Sequence, residues 1–316
     1  MKKIFLLLST IIALSSCGPT YTGDLKIVTP TGAPSICFYN EVLNDNFETN
    51  SNPKNIIAMM TSSSDKDIVV IDTVSGIQAI NNGAPYLLAA NITFGNFFIA
   101  STGNDDDGIL NENDTVILFG QGQTPDLLFH YLYGKNHNFN IEYVTNASAA
   151  AQCLAAGKNV VTTLKVDYVF LAQPALYTIL NNVNAPTYGK AFIYKNIQEE
   201  YRLKTNNKEL VQASLFVKNI DDRDYKNKIE TYLNSLKGYI GNAITNPTCV
   251  KEAMDQLSKE EVTALFQINS TTAQKVLELD NSIGIGYKSA FENKDSIDSF
   301  ISLFGVGETN EKIYFK

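Results

Sequence analysis

A short, mostly apolar run, a turn of Gly, Pro, Thr or Asp residues and a helical segment recur in that order along this chain. That recurrence restricts the fold more than any other feature. Residues 25–28 (LKIV) lead into Thr29-Pro30-Thr31-Gly32-Ala33-Pro34, and a helix is expected over 35–44. Residues 67–71 (DIVVI) end at Asp72-Thr73-Val74-Ser75, a helix follows through Ile80, and 86–90 (YLLAA) form a third strand. Strands without polar alternation are those buried on both faces, as in parallel sheets covered by helices. Strand and helix in alternation predict a doubly wound α/β sheet.

The pattern then breaks and restarts. Residues 91–101 are extended and aromatic, with Phe94, Phe97 and Phe98, and an acidic turn covers 103–113 (GNDDDGILNEN). Residues 115–119 (TVILF) are again a strand, followed by the loop Gly120-Gln121-Gly122-Gln123-Thr124-Pro125-Asp126 and a helix over 127–133. A strand at 140–144 and an alanine-rich helix at 148–156, stopped by Gly157, come next. Residues 160–164 and 168–172 read as strand-like, Gln173-Pro174 closes them, and 176–180 reads as helical. Residues 210–217 (LVQASLFV) read as a strand returning to the first sheet. Helices are expected at 225–240, 259–265, 271–279 and 297–304; the first repeats Ile229, Tyr232, Leu233, Leu236 and Ile240 at helical spacing. Two α/β units account for this, the second inserted in the first: residues 25–91 and 196–316 as one lobe, 92–195 as the other. A chain of 316 residues is also long for a single core.

The first sixteen residues (MKKIFLLLSTIIALSS) carry Lys2 and Lys3, then an apolar stretch too short to span a bilayer with proper flanks. This predicts a secretory signal peptide over 1–16. Leu14-Ser15-Ser16-Cys17 resembles a bacterial lipobox, whose cysteine is acylated and becomes the mature N-terminus. The expectation is a lipidated Cys17, a polar tether over 17–24, and an extracytoplasmic protein anchored to the cell membrane. The alternative is an ordinary signal peptide with an incidental cysteine.

Composition excludes several functions. A net charge of −8 argues against a nucleic-acid partner. Only two histidines, His130 and His137, are present, which rules out a three-histidine metal cage. Cys37, Cys153 and Cys249 show no CxxC spacing and read as small buried apolar residues. Asp105-Asp106-Asp107-Gly108 fails the calcium-loop template, because Gly103 and Asp114 would stand at its first and twelfth positions; a solvated turn is the better reading. No Ser/His/Asp order, HExxH or Walker loop is visible, so no metal, cofactor or catalytic residue is expected.

The run Val-Ile-Leu-Phe-Gly-Gln-Gly-Gln-Thr-Pro-Asp at 116–126, then Ile141-Glu142-Tyr143-Val144, the alanine-rich helix and Leu171-Ala172-Gln173-Pro174 resemble one family. It is that of the solute-binding proteins of ABC importers of the nitrate, sulfonate and thiamine-precursor type. The resemblance extends over residues 25–217 and departs where Gln173 replaces a common glutamate. It implies a two-lobe periplasmic-binding-protein type II fold closing on a solute, a monomer, and an ABC permease with its ATPase as partners. The residues agree independently, since ligands of open α/β sheets bind beyond the carboxyl ends of strands, against helix N-termini. The expected ligand-binding set is Thr29, Thr31, Gly32, Ala33 and Thr73 from one lobe, and Gln121, Gly122, Gln123, Thr124 and Gln173 from the other. With Arg202 and Arg223 off these loops, the solute is expected to be neutral or mildly anionic. Competing readings are an enzyme on the same fold, which lacks its cysteine-rich segment and histidines here, and a non-transport surface lipoprotein such as a sensor or adhesin.

Overall fold

The computed structural model describes residues 25–105, 107–134 and 139–316. Cys17, its tether, Asp106 and His137 lie outside the described residues.

The chain opens with β1 (Ile27–Pro30), α1 (Ala33–Ile36), β2 (Phe47–Asn50), α2 (Pro53–Ala58), β3 (Ile68–Asp72), α3 (Thr73–Asn81) and β4 (Tyr86–Thr93). It continues with β5 (Phe97–Ser101), β6 (Thr115–Phe119), α4 (Thr124–Tyr133), β7 (Asn140–Val144), α5 (Ala147–Ala156), β8 (Tyr168–Ala172), α6 (Ala175–Leu180) and β9 (Phe192–Asn196). The remainder is α7 (Ile197–Lys204), β10 (Ala213–Lys218), α8 (Arg223–Thr245), α9 (Thr248–Met254), α10 (Lys259–Phe266), α11 (Ser270–Glu278), β11 (Ile285–Ser289) and α12 (Lys294–Ser302).

Two sheets result, with strand orders β11-β4-β10-β3-β1-β2 and β7-β6-β8-β5-β9. In the first, β1 pairs in parallel with β2 and β3, while β10 pairs antiparallel with both β3 and β4. In the second, β6 pairs in parallel with β7 and β8, and β5 runs antiparallel to β8 and β9. The apolar runs behave as their composition demands: Ile68, Val69, Val70 and Ile71 of β3 are fully buried, because helices cover both faces. One apolar cluster joins the first sheet to α8 through α11. A second includes Val28 and Phe216 of the first sheet and Phe97, Val116 and Phe170 of the second, with Tyr201 of α7 and Phe300 of α12. A third lies beneath α5 and α6.

The long helix α8 buries Ile229, Tyr232, Leu233, Leu236 and Ile240, the face expected from its spacing, and Asp222 caps it by accepting the Tyr225 N–H at 2.7 Å. The expected return strand is β10, at the centre of the first sheet. Residues 160–164 are a correction: they form a turn with Thr163 at φ 64° and Val161 82% exposed, not a strand. The helix expected over 35–44 is shorter, being α1 followed by a 3-10 turn at Tyr39–Glu41. Three short strands, β2, β9 and β11, and the helices α7 and α9 were not expected. Cys37, Cys153 and Cys249 are buried and form no disulfide among the described residues; burial raises the pKa of Cys37, which suits packing rather than reactivity.

Gly76 of α3 lies directly on the buried ring of Phe216: a Cβ there would sit 2.0 Å from Phe216 Cζ. Alanine normally stabilises a helix by about 1 kcal/mol over glycine. Overpacking here is the larger effect, costing about 1–3 kcal/mol. Gly76→Ala is therefore expected to lower the urea midpoint; an equal or higher midpoint would show that β10 and α3 do not pack this tightly.

Candidate functional site

The strand directions set where a ligand can sit. Because β5 is antiparallel to β8, its start lies at the edge where β6, β7 and β8 end. Likewise β10 begins at the edge where β3 and β4 end. The chain crosses between sheets from Thr93 to Phe97 and returns between Asn196 and Ala213. Both crossings therefore join the carboxyl edges of the two sheets, and those edges confront each other.

A cavity of about 590 Å³ lies between the units at this junction. The first unit contributes Gly32, the segment Phe266, Gln267, Ile268 and Asn269, and Thr272 of α11. The second contributes Ser148 and Ala151 of α5 and Pro174, Ala175, Thr178 and Ile179 at α6. Ser148 and Ala175 stand in the first turns of α5 and α6, so two helix N-termini lie at the cavity rim. The polar lining is hydroxyl and amide, and none of these lining residues is charged.

Of the expected residues, Gly32 lines the cavity, with φ 91° and its carbonyl accepting the Ser35 hydroxyl at 2.8 Å. Its neighbours Thr31 and Ala33 stand beside it, half-buried and buried. Thr29 is fully buried, its hydroxyl directed at the Pro30 carbonyl at 3.3 Å. The Thr73 hydroxyl is buried and shared with Ser214 Oγ at 2.7 Å, which also accepts the Asn91 amide at 2.8 Å. Gln173 is 3% exposed and works inside the protein: its Oε1 accepts the Tyr177 N–H at 2.9 Å, capping α6, and its carbonyl accepts Asn96 Nδ2 at 2.8 Å.

The loop before α4 is not among the residues that line this cavity. Gln121, Gly122 and Gln123 are exposed and Thr124 is half-buried, with Gly120 and Gly122 at φ 68° and 74°. The Gly122 N–H, the donor expected to meet a ligand, donates instead to Asp126 Oδ2 at 2.8 Å. Asp126 Oδ1 accepts the Tyr143 hydroxyl at 2.7 Å and lies 3.2 Å from His130 Nε2. Burial first, and the Asp126 carboxylate second, push the Tyr143 pKa up to about 12. A carboxylate already occupies the positive end of α4, so an anionic ligand there would meet a like charge. Among the described residues no three His, Cys, Asp or Glu side chains form a group able to hold a metal ion.

The first turns of α5 and α6 and the Phe266–Thr272 stretch were missed. Thr145-Asn146-Ala147-Ser148 follows a strand end, and the rule applied to the other loops could have found it. The 266–272 stretch follows no strand, and nothing local signals its place in the cavity.

No protein-family model matches the chain, and no curated protein matches it. Solved structures do. An ABC transporter structure from Parabacteroides distasonis is 19% identical, covering 92% of this chain and 99% of its own, with a TM-score of 0.69. The periplasmic aliphatic sulphonate binding protein SsuA of Escherichia coli is 13% identical over 92% of each chain, with a TM-score of 0.60. A zinc-bound ligand-binding component of an ABC-type import system from Staphylococcus aureus is 9% identical over 92% of this chain and 96% of its own, at 0.59. The fold is accordingly the periplasmic-binding-protein type expected from the sequence.

Asp72 ends β3 at the same carboxyl edge and caps α3 by accepting the Ser75 N–H at 2.9 Å. Burial raises its carboxyl pKa above the ordinary value, outweighing that hydrogen bond. A folded state with the raised pKa holds extra proton, so this group adds stability as pH falls through the raised value towards the unfolded one. Asn caps as well as Asp but does not titrate. Asp72→Asn is expected to gain on the parent at pH 7 and lose that advantage by pH 4 in urea unfolding. A pH-independent difference would contradict the assignment.

Proposed function

We propose that this chain is a lipid-anchored extracytoplasmic solute-binding protein that captures a small solute between two lobes and delivers it to an ABC permease and its ATPase. The lobes are residues 25–91 with 196–316, and 92–195. The observation that carries this reading is the uncharged cavity of about 590 Å³ lined by residues of both units, with two helix N-termini of the second at its rim. Such a lining suits an uncharged polar solute with an apolar part, held by Ser148, Thr178, Gln267 and backbone N–H groups at α5. Closing hydroxyls and amides over such a solute avoids the cost of desolvating unpaired ions. The spacing Leu14-Ser15-Ser16-Cys17 supports the anchor, and the resemblance to solute-binding proteins supports a monomer.

A thermal-shift screen of the full chain against a metabolite library tests the solute reading, because a ligand that binds only the folded state raises the melting temperature with concentration. Thr178 is exposed at the cavity wall, so Thr178→Trp is expected to fill the cavity and abolish the shift while leaving the unliganded melting temperature within about 1 °C, as surface changes do. A hit that survives Thr178→Trp unchanged binds elsewhere. For the anchor, Cys17→Ala is expected to move the protein from the membrane to the soluble fraction, or to leave it unprocessed. A free, unacylated thiol at Cys17 in mass spectra of the mature chain would exclude the lipid.

A further inference from the structure

A second cavity, of about 280 Å³, lies where the two crossings meet β11, and its chemistry is the opposite of the first. Phe94 and Gly95 of the outgoing crossing, Gln198 and Glu209 of the return, and Tyr287 of β11 form its walls. Gln198 is 9% exposed, and its Oε1 accepts the Leu210 N–H at 3.2 Å. That bond fixes which end of the amide is which, and the Nε2 donor is buried with no partner among the described residues. Asn281 also lines the cavity; its Nδ2 donates to the Ile285 carbonyl at 2.6 Å, and its buried Oδ1 has no partner among the described residues.

The charges are unbalanced. Glu209 Oε1 takes Arg202 at 3.2 Å and Oε2 lies 2.8 Å from Lys288 Nζ, so its charge is compensated. Glu199 and Asp280 at the same lining bring the wall to three carboxylates against two cations. The rings of Phe98 and Tyr287 line it as well, while the Phe94 ring already carries Lys288 Nζ 6.0 Å from its centroid. Aromatic faces beside carboxylates are the surroundings that take up an organic ammonium ion. A lone water would leave most of such a volume unused, since a water occupies about 30 Å³ of liquid.

We propose that this hinge cavity binds a small organic ammonium ion carrying an oxygen acceptor. The ammonium faces Asn281 Oδ1 and the carboxylates, and the acceptor takes the Gln198 Nε2 hydrogen. The site is separate from the uncharged cleft and stands whether or not the cleft binds a solute.

Calorimetric titration of the full chain in detergent with ethanolamine tests it, with ethylene glycol as the uncharged probe of similar size. Saturable one-to-one binding of ethanolamine is expected, and none of ethylene glycol. Glu209→Gln and Gln198→Leu are each expected to weaken ethanolamine at least tenfold, and Thr178→Trp in the cleft to leave it unchanged. Should Glu209→Gln fail to fold, Gln198→Leu and the comparison of the two probes on the parent decide. Absence of saturable ethanolamine binding, equal binding of ethylene glycol, parent-like affinity in the folded hinge variants, or loss in Thr178→Trp each overturns the proposal.

Discussion

Strand β10 joins the two halves of the first sheet. It enters the first sheet antiparallel between β3 and β4, pairing residues 213–217 with one and 213–218 with the other. Before it arrives, β3 and β4 have no common neighbour, and each would leave a row of main-chain donors and acceptors open. Its side chains complete the attachment. Phe216 packs against Gly76, and Ser214 joins the Thr73 hydroxyl and the Asn91 amide, which in turn accepts Asn293 Nδ2 at 2.8 Å. A buried polar chain of this kind is stable only when its members are paired, so it selects one register over a slipped one.

From that insertion follows the position of the cleft. With β10 starting where β3 and β4 end, both crossings emerge at carboxyl edges, and the loops of the two sheets meet. The protein then satisfies many of the donors there from within. Asp126 takes the Gly122 N–H, Gln173 takes the Tyr177 N–H, and Asn146 takes the Ala149 N–H at 2.9 Å. What remains at the larger cavity is an uncharged wall, whereas ion pairs gather at the hinge around Glu209. The two cavities therefore differ in charge, and the crossings line only the smaller of them.

Most of the architecture was legible because it rests on residue type and spacing alone. Apolar runs such as IVVI at 68–71 and VILF at 116–119 ask for burial on both faces, and the α8 periodicity names its own buried side. The glycine-containing turns mark strand ends, since Gly32, Gly120 and Gly122 adopt positive φ. The strands that escaped, FETN, FIYKN and IGYKS, are edge strands with one partner each; few of their residues are fully buried, so they lack the longer apolar runs of the central strands. The opposite error came from residues 160–164, where Val161 and Leu164 are exposed and hydrophobicity misreads a turn as a strand.

The site was less legible for a physical reason. Sequence shows that a threonine or glutamine can bond a ligand, but it does not show which partner reaches that group first. Thr73 is claimed by Ser214, 141 positions away, and Gln173 is held through Asn96, 77 positions away. The cavity likewise joins Gly32 to Ser148 and Asn269, residues with no common local pattern. The sequence by itself determined the alternation of strands and helices, its restart and the strand ends, because burial and turn chemistry are local demands. Only the tertiary structure decided which hydroxyls, amides and main-chain donors stay free at those ends, because hydrogen-bond partners are allotted by three-dimensional proximity.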